Sequence, residues 1–413
     1  MTTYKQAAIA SYKQLVKEWD DMKPFCPPDN PPASFWIAGN TFQTFLDYWI
    51  ATGQPTDDQI SKPSLQYFHE TVKADATPAD LNSLTEQGLE GGPWLDDYGW
   101  WGNAFMTAME NASALGMSQD DIEMCRQSAE NCWQIMNYGW DKENTPPIGG
   151  GVWNCHRTGN WHGLGEWKLT GRNSVTNLQY WLLSVRLHTL TQDDRFLDPN
   201  TDILKWFIDG FEKKLLFDAG SRLVRERFLG EHDSDSVKGF YWVGDQGLFL
   251  ACCTAEKRAV PPAFKNLHDD VLNAVLTGMK DDSHVIHDHK ISLSQFDNDY
   301  ATGKGIFMRH ALPIAKANQN ADLKQCILES ATYAWNNATT YPDSTRVFKF
   351  GWNNTGKLPP GDWDTSSSTL DSHFRNLILQ ASGLDAMAAA AALDPNGIVP
   401  ESVRKDAVAG RAG

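Results

Sequence analysis

An all-α fold, an (α/α)6 toroid of paired helices with short β-hairpins in its loops, is predicted by three features of the sequence. Apolar residues recur at a period near 3.6 in segment after segment, strand-like alternation is sparse, and no linker separates two self-sufficient cores. The periodic segments span about residues 3–19, 40–52, 59–74, 97–115, 119–138, 173–191, 200–216, 241–257, 264–280, 303–317, 321–338 and 367–392. Twelve helices make six hairpins, and alternate helices then line a central cavity with loops at one end. Alternation is confined to pieces such as residues 223–228 and 347–350, which suit short hairpins between helices. One domain over residues 1–393 follows, with residues 394–413, rich in Ala, Gly and charge, expected as a loosely packed tail.

The helices are punctuated by Gly, Pro and Asn clusters near residues 26–32, 145–151, 159–165 and 353–361. These loops are long for connectors and rich in Trp, which favours function over disorder. Seven cysteines, an odd number scattered along the chain, argue against a disulfide framework. Cys125 and Cys132 lie on one predicted helix about 10 Å apart, too far to bridge, and are expected as small buried apolar residues.

Charge and hydropathy exclude several partners. The 36 basic residues form no run and face 52 acidic ones, a net charge of −16 that repels nucleic acid. The longest apolar stretches, such as residues 386–393, fall short of the roughly 18 a membrane span needs, so no membrane partner is expected. Residues 1–22 interleave Lys5, Lys13, Lys17, Glu18, Asp20 and Asp21 with apolar positions and show no secretion signal, so a cytoplasmic location is expected.

The segment richest in chemistry is Gly91-Gly92-Pro93-Trp94-Leu95-Asp96-Asp97-Tyr98-Gly99-Trp100-Trp101, a loop running into an aromatic helix start. Two readings stand open on the residues alone. One Asp at the helix start is an ordinary cap for a backbone N–H. Two Asp among four large aromatic rings instead repel and desolvate each other, which raises one pKa and leaves the other ionised, the asymmetry glycoside hydrolysis requires. Neighbours inside a helix point about 100° apart, so the pair approaches the roughly 5 Å of a retaining mechanism only by straddling the loop–helix boundary.

Seventeen Trp, among them Trp36, Trp49, Trp94, Trp100, Trp101, Trp153, Trp161 and Trp167, offer flat rings suited to sugar faces. Those in apolar helices, such as Trp133, Trp206 and Trp335, are expected in the core. Trp153, in a Gly-rich loop, is the better cavity candidate. His284, His287 and His289 form the dense histidine cluster, but their spacing matches no strong zinc pattern and includes no Cys, so a solvated loop is expected. Gly149-Gly150-Gly151 is followed by no Lys-Ser/Thr pair and is no phosphate loop. No metal or other cofactor is expected.

Taken in order, these motifs resemble glycoside hydrolase family 76, the endo-α-1,6-mannanases. The resemblance is carried by Trp94-Leu95-Asp96-Asp97-Tyr98-Gly99-Trp100-Trp101, Gly149-Gly150-Gly151-Val152-Trp153 and Asn173-Ser174-Val175-Thr176-Asn177. It continues through Tyr241-Trp242-Val243-Gly244-Asp245-Gln246-Gly247, Lys304-Gly305-Ile306-Phe307-Met308-Arg309 and Ala334-Trp335-Asn336-Asn337. It implies an (α/α)6 fold and hydrolysis of α-linked mannose-containing glycans with retention, Asp96 as nucleophile and Asp97 as general acid/base. It places Asp47-Tyr48, Trp153, Asn173, Asn177, Asp245 and Gln246 around the cavity with the aromatic candidates Trp36 and Trp100. The partner it implies is an oligosaccharide or polysaccharide substrate. Leu95 directly before the pair, and Asn154-Cys155-His156-Arg157 after the Gly loop, depart from the family's usual aromatic residues and are expected to reshape the sugar subsites. A sugar epimerase on the same toroid, with a His base, and a non-catalytic carbohydrate-binding protein are the competing readings.

Overall fold

The computed structural model describes residues 1–22, 35–71, 94–142, 144, 146–154, 171–227, 241–288, 298–318, 320–340, 346–353 and 369–400. Among these, twelve helices of ten or more residues follow one another: α1 (Tyr4–Met22), α2 (Phe35–Thr52), α3 (Asp58–Thr71), α4 (Leu95–Glu110), α5 (Gln119–Tyr138) and α6 (Ser174–Thr191). The second half continues with α7 (Ile203–Glu212), α8 (Val243–Ala255), α9 (Leu267–Gly278), α10 (Asn298–Asn318), α11 (Ala321–Asn337) and α12 (Thr369–Leu393). Several start where the chemistry of capping directs. Ser118 and Asp121 form a reciprocal capping box at α5, Asp202 caps α7, and Asn320 caps α11.

The even-numbered helices form a closed inner ring. Helix α2 packs on α4, α4 on α6, α6 on α8, α8 on α10, α10 on α12, and α12 returns to α2. The odd-numbered helices lie outside it, α1 against α12, α5 against α4 and α9 against α8. Burial explains the sorting: fourteen of the eighteen residues of α2 are buried, whereas α5 buries seven of twenty along one stripe. Glycines let neighbouring inner helices approach closely. A Cβ on Gly247 of α8 would lie 2.8 Å from the Phe307 Cα of α10, and one on Gly305 would lie 2.6 Å from the Ser382 Cα of α12.

Two inner helices begin five residues earlier than periodicity predicts, α2 at Phe35 and α10 at Asn298. Gly39, Gly303 and Gly305 lie inside these helices, each where a neighbour leaves no room for a side chain; a Cβ on Gly39 would lie 2.9 Å from the Trp101 ring. The expected hairpins shrink to fragments. Strands β1 (Thr339–Thr340) and β2 (Arg346–Val347) pair antiparallel, Val224 makes one bridge with Phe217, and Phe228 lies outside the described residues.

Two expectations change at the C-terminal end. Residues 394–400 are anchored rather than loose: Ile398 bridges Thr3, the Val399 N–H donates to the Thr2 carbonyl at 2.8 Å, and Val399 is buried. Residues 401–413 lie outside the described residues. The stretch 376–393 is long and apolar enough to cross a membrane by composition, but 83% of it is buried inside the ring as part of α12. Cys125, Cys132, Trp133, Trp206 and Trp335 are core residues, as their helical positions predict.

Candidate active site

The N-terminal ends of inner helices meet at one mouth of the ring. The Phe35 ring at the start of α2 lies 5.3 Å from Tyr98 and 5.8 Å from Trp101 at the start of α4. Trp36 and Trp100 are 6.4 Å apart, and Trp100 meets Trp242, the N-cap of α8, edge to face at 6.4 Å. Three tryptophans from three helices thus form one wall. Trp242 is a site residue the sequence reading passed over, although it stands three positions before Asp245 in the quoted aromatic segment.

Asp96 and Asp97 occupy the first turn of α4, whose N-cap is Trp94 with no side-chain capping bond. Neither acid is the cap residue. Both acids lie inside the helix and do not straddle its boundary, because the Leu95 N–H already donates to the Asn154 carbonyl at 2.8 Å and sets the helix start before them. Asp97 is buried. Asp96 is half-buried, its Oδ1 has no hydrogen-bond partner, and burial pushes its pKa up to about 7 against the pull of the Asp96 and Asp97 backbone N–H groups.

Asp245, in the first turn of α8, is fully buried with neither carboxyl oxygen partnered. Burial first, then the charges of Glu226 and Asp96, hold its pKa well above the carboxylate range, and Arg227 opposes them. Glu226 and Arg227 pair at 3.0 Å, and the Glu226 carbonyl accepts the Ser174 N–H at the start of α6, which brings this pair to the same mouth. Nothing in their local sequence marked them.

The Gly loop adjoins the start of α4, with the Asn154 carbonyl on the Leu95 N–H. Gly150 and Gly151 adopt φ of 82° and 84°, a region reserved largely for glycine, and a Cβ on Gly151 would lie 2.4 Å from the Trp206 ring nitrogen. Gly151→Ala is therefore expected to cost about 1–3 kcal/mol, read as a lower urea midpoint at unchanged slope. Beneath the loop lies Arg172, fully buried. It pairs with Asp141 at 3.0 Å, donates to the Ile148 and Gly150 carbonyls at 2.6 and 2.7 Å and to Pro146 at 3.2 Å, and its guanidinium lies 4.8 Å from the Trp153 ring centre. Trp153 is thereby fixed beside Asn154, whose carbonyl holds the acid-bearing helix.

The remaining expected site residues divide. Asn173 stands at the N-cap of α6 without a capping bond, so it remains at the mouth as a candidate contact. Asn177 does not reach a ligand: it is fully buried, and its amide grips the Val152 N–H and carbonyl and the Asn173 carbonyl. Gln246 repeats the device, gripping both backbone groups of Val224 and the Trp242 carbonyl. Both amides satisfy buried backbone, and their contribution is to hold the rim loops. Asp47 is also corrected. Eleven residues along α2 from Trp36, about 16 Å at helical rise, it bonds Gln43 and faces Arg309 towards the other end of the ring.

In the histidine cluster, His284 meets Lys280 and Asp322, His287 bonds the Asp288 carbonyl, and His289 lies outside the described residues, as do Trp161 and Trp167.

The model of glycosyl hydrolase family 76 matches residues 2–396. The chain belongs to this family. A Schizosaccharomyces pombe protein whose name assigns it as a mannan endo-1,6-alpha-mannosidase is 24% identical over 233 residues, which cover 54% of this chain and 44% of that protein. The match thus spans less than half the length of that curated relative. Among solved structures, the Lin0763 protein of Listeria innocua has a TM-score of 0.63 at 17% identity, covering 96% of this chain and 98% of that one. An inactive variant of a Salegentibacter α-1,6-mannanase, with two consecutive aspartates replaced by asparagine and α-1,6-mannotriose bound, has a TM-score of 0.62 at 15% identity, covering 94% and 99%. These family 76 structures establish the (α/α)6 toroid.

Proposed function

We propose that this family 76 glycoside hydrolase cleaves α-1,6-linked mannose chains with retention, using Asp96 and Asp97. The observation that carries the reading is the convergence of unpartnered buried polar atoms, Asp96 Oδ1, Trp242 Nε1 and both oxygens of Asp245, on a mouth walled by Trp36, Trp100 and Trp242. Buried polar atoms are normally paired with protein, ordered water or a ligand, and their clustering beside the aromatic wall marks a place for such a partner. The inactivity of the Salegentibacter variant with its two consecutive aspartates replaced, and the mannotriose bound to it, support the same pair and substrate class here.

In this reading Asp96 attacks the anomeric carbon while Asp97 gives its proton to the departing glycosidic oxygen, leaving a mannosyl ester on Asp96. Asp97 then takes a proton from water, which displaces the ester and restores both groups. In the free protein burial favours the proton on Asp96. Two adjacent carboxyl groups titrate as a pair, and the positive charge developing at the anomeric carbon favours ionised Asp96, leaving the proton to Asp97.

The active form holds one proton on the pair, and its loss near pH 7 removes the acid. Hence kcat/KM is expected to fall about tenfold per unit above about pH 7 from a plateau just below it. Initial rates on an aryl α-mannoside between pH 5 and 9 check this, and a rate that holds level to pH 9 contradicts it.

The deciding experiment incubates the protein with α-1,6-mannan and follows reducing ends and the anomer first released. New reducing ends with α-configured product support the reading. An isomerised monosaccharide would point to an epimerase, and binding without turnover to a carbohydrate-binding protein.

A further inference from the structure

The first turn of α6 ties down the loops at the mouth. The Ser174 N–H donates to the Glu226 carbonyl at 2.8 Å and its hydroxyl to the Arg225 carbonyl, while the Asn177 amide grips Val152. Between them Thr176, fully buried, donates its hydroxyl to Asn154 Oδ1. A helical Thr ordinarily returns its hydroxyl to a carbonyl one turn back, as Thr44, Thr107 and Thr189 do here. Thr176 instead reaches out of its helix to a loop residue.

That loop residue bears directly on the acids. Asn154 is held at its side chain by Thr176 and at its N–H by the Gly171 carbonyl at 2.8 Å, and its own carbonyl accepts the Leu95 N–H, also at 2.8 Å. Leu95 opens α4 immediately before Asp96 and Asp97. Its side chain is fully buried, and a Cβ on Gly139 would lie 2.1 Å from Leu95 Cδ1, so the backbone there packs closely on it. The Gly139 carbonyl accepts the Trp153 N–H at 3.0 Å, which joins that packing surface to the same loop. We propose that Thr176 is a positioning residue: through Asn154 and Leu95 it fixes the rotation of the helical turn that carries Asp96 and Asp97.

Geometry explains why one hydroxyl matters. The N–H groups of a first turn have no partners inside their own helix, so what lies outside the helix sets how that turn is held. The N-cap of α4, Trp94, makes no side-chain bond, and the Asn154 carbonyl takes that part on the Leu95 N–H. A carboxyl group about 5 Å from a helix axis moves by about 1 Å when its turn rotates by about 10°. Misplacement by about 1 Å can cost about a hundredfold in rate. A loosened turn also admits water to Asp96, which relieves the burial that raises its pKa. The effect on catalysis rests on the chemistry proposed for Asp96 and Asp97; the hold on α4 does not.

The test separates the hydroxyl from the space it fills. Thr176→Val keeps the shape and removes the donor, whereas Thr176→Ser keeps the donor. In Thr176→Val, kcat on α-1,6-mannan is expected to fall about tenfold or more with KM within about twofold, and the decline of kcat/KM with pH to begin about half a unit lower. The backbone amides of residues 95–98 are expected to exchange with deuterated water about threefold faster or more. Thr176→Ser is expected to match wild type in all of these. Asn154→Ala breaks the same bond from the loop side, is expected to reproduce the Thr176→Val result, and replaces it should that variant fold poorly. Wild-type kcat and exchange without the bond, equal losses in Thr176→Ser, or a loss of rate with the pH profile and exchange unmoved overturns the assignment. Should the wild-type chain leave α-1,6-mannan uncleaved, the proposed function fails, and exchange at residues 95–98 decides the hold on α4 by itself.

Discussion

Asp97→Asn is expected to hydrolyse α-1,6-mannan about 10³-fold more slowly than wild type, within the range that removing a general acid/base costs. Asp96→Asn, lacking the nucleophile, is expected to lose at least as much. Azide separates their roles. In the Asp97 variant azide opens the ester still formed on Asp96 and yields an α-mannosyl azide, whereas in the Asp96 variant it attacks the substrate directly and yields the β-anomer. The opposite pairing of product and variant would exchange the two roles, and wild-type turnover by either variant would remove the pair from the chemistry. Stability supplies a control. An acid whose folded pKa is raised favours the fold at low pH and costs stability as pH rises from about 4 through 7, so Asp96→Asn is expected to unfold at a temperature equal to or above wild type at pH 8.

Arg172→Met carries the largest expected effect on the fold. It leaves Asp141 buried beside an apolar chain and withdraws donors from three loop carbonyls, a loss of about 3–5 kcal/mol. For a chain of this length that corresponds to a fall in Tm of about 5 °C. Because the cost lies mainly in the stranded Asp141, adding Asp141→Leu is expected to recover part of it; no recovery would mean that the loop carbonyls dominate. KM is expected to rise in Arg172→Met, since Trp153 and Asn154 lose the support beneath them.

The outer helices were legible from their 3.6-residue apolar period, whereas the inner ones, buried on nearly every side, show it weakly and were legible mainly as long stretches free of strand-like alternation. Starts were legible where a capping side chain marks them, as at Ser118, and set late at α2 and α10, whose first turns, residues 35–39 and 298–302, carry no amphipathic period. The acid pair stands out in sequence as two carboxyl groups among large rings, and the structure sets both in the first turn of α4. Asn177 and Gln246 were misplaced because an amide that grips backbone looks identical in sequence to one that grips sugar. Asp47 was misplaced because motif order along a chain carries no depth along a helix. Arg172 reads as an ordinary loop charge until its buried partners Asp141, Ile148 and Gly150 are seen. Asp47, Arg309 and Asp385 meet from three helices far apart in the chain, a juxtaposition no local pattern encodes.

The closing contact of the ring, α12 on α2, sets an order of events during synthesis. Helix α2 offers one flank to α4 as soon as both have emerged, but its other flank waits until α12, more than three hundred residues later, is complete. Until then a helix destined for near-complete burial stands with one side uncovered, and the bridge between Thr3 and Ile398 cannot form. Nascent chains short of α12 are accordingly the species most in need of a chaperone, and release of the last helix, not assembly of any single hairpin, is the step that commits the protein to its closed form.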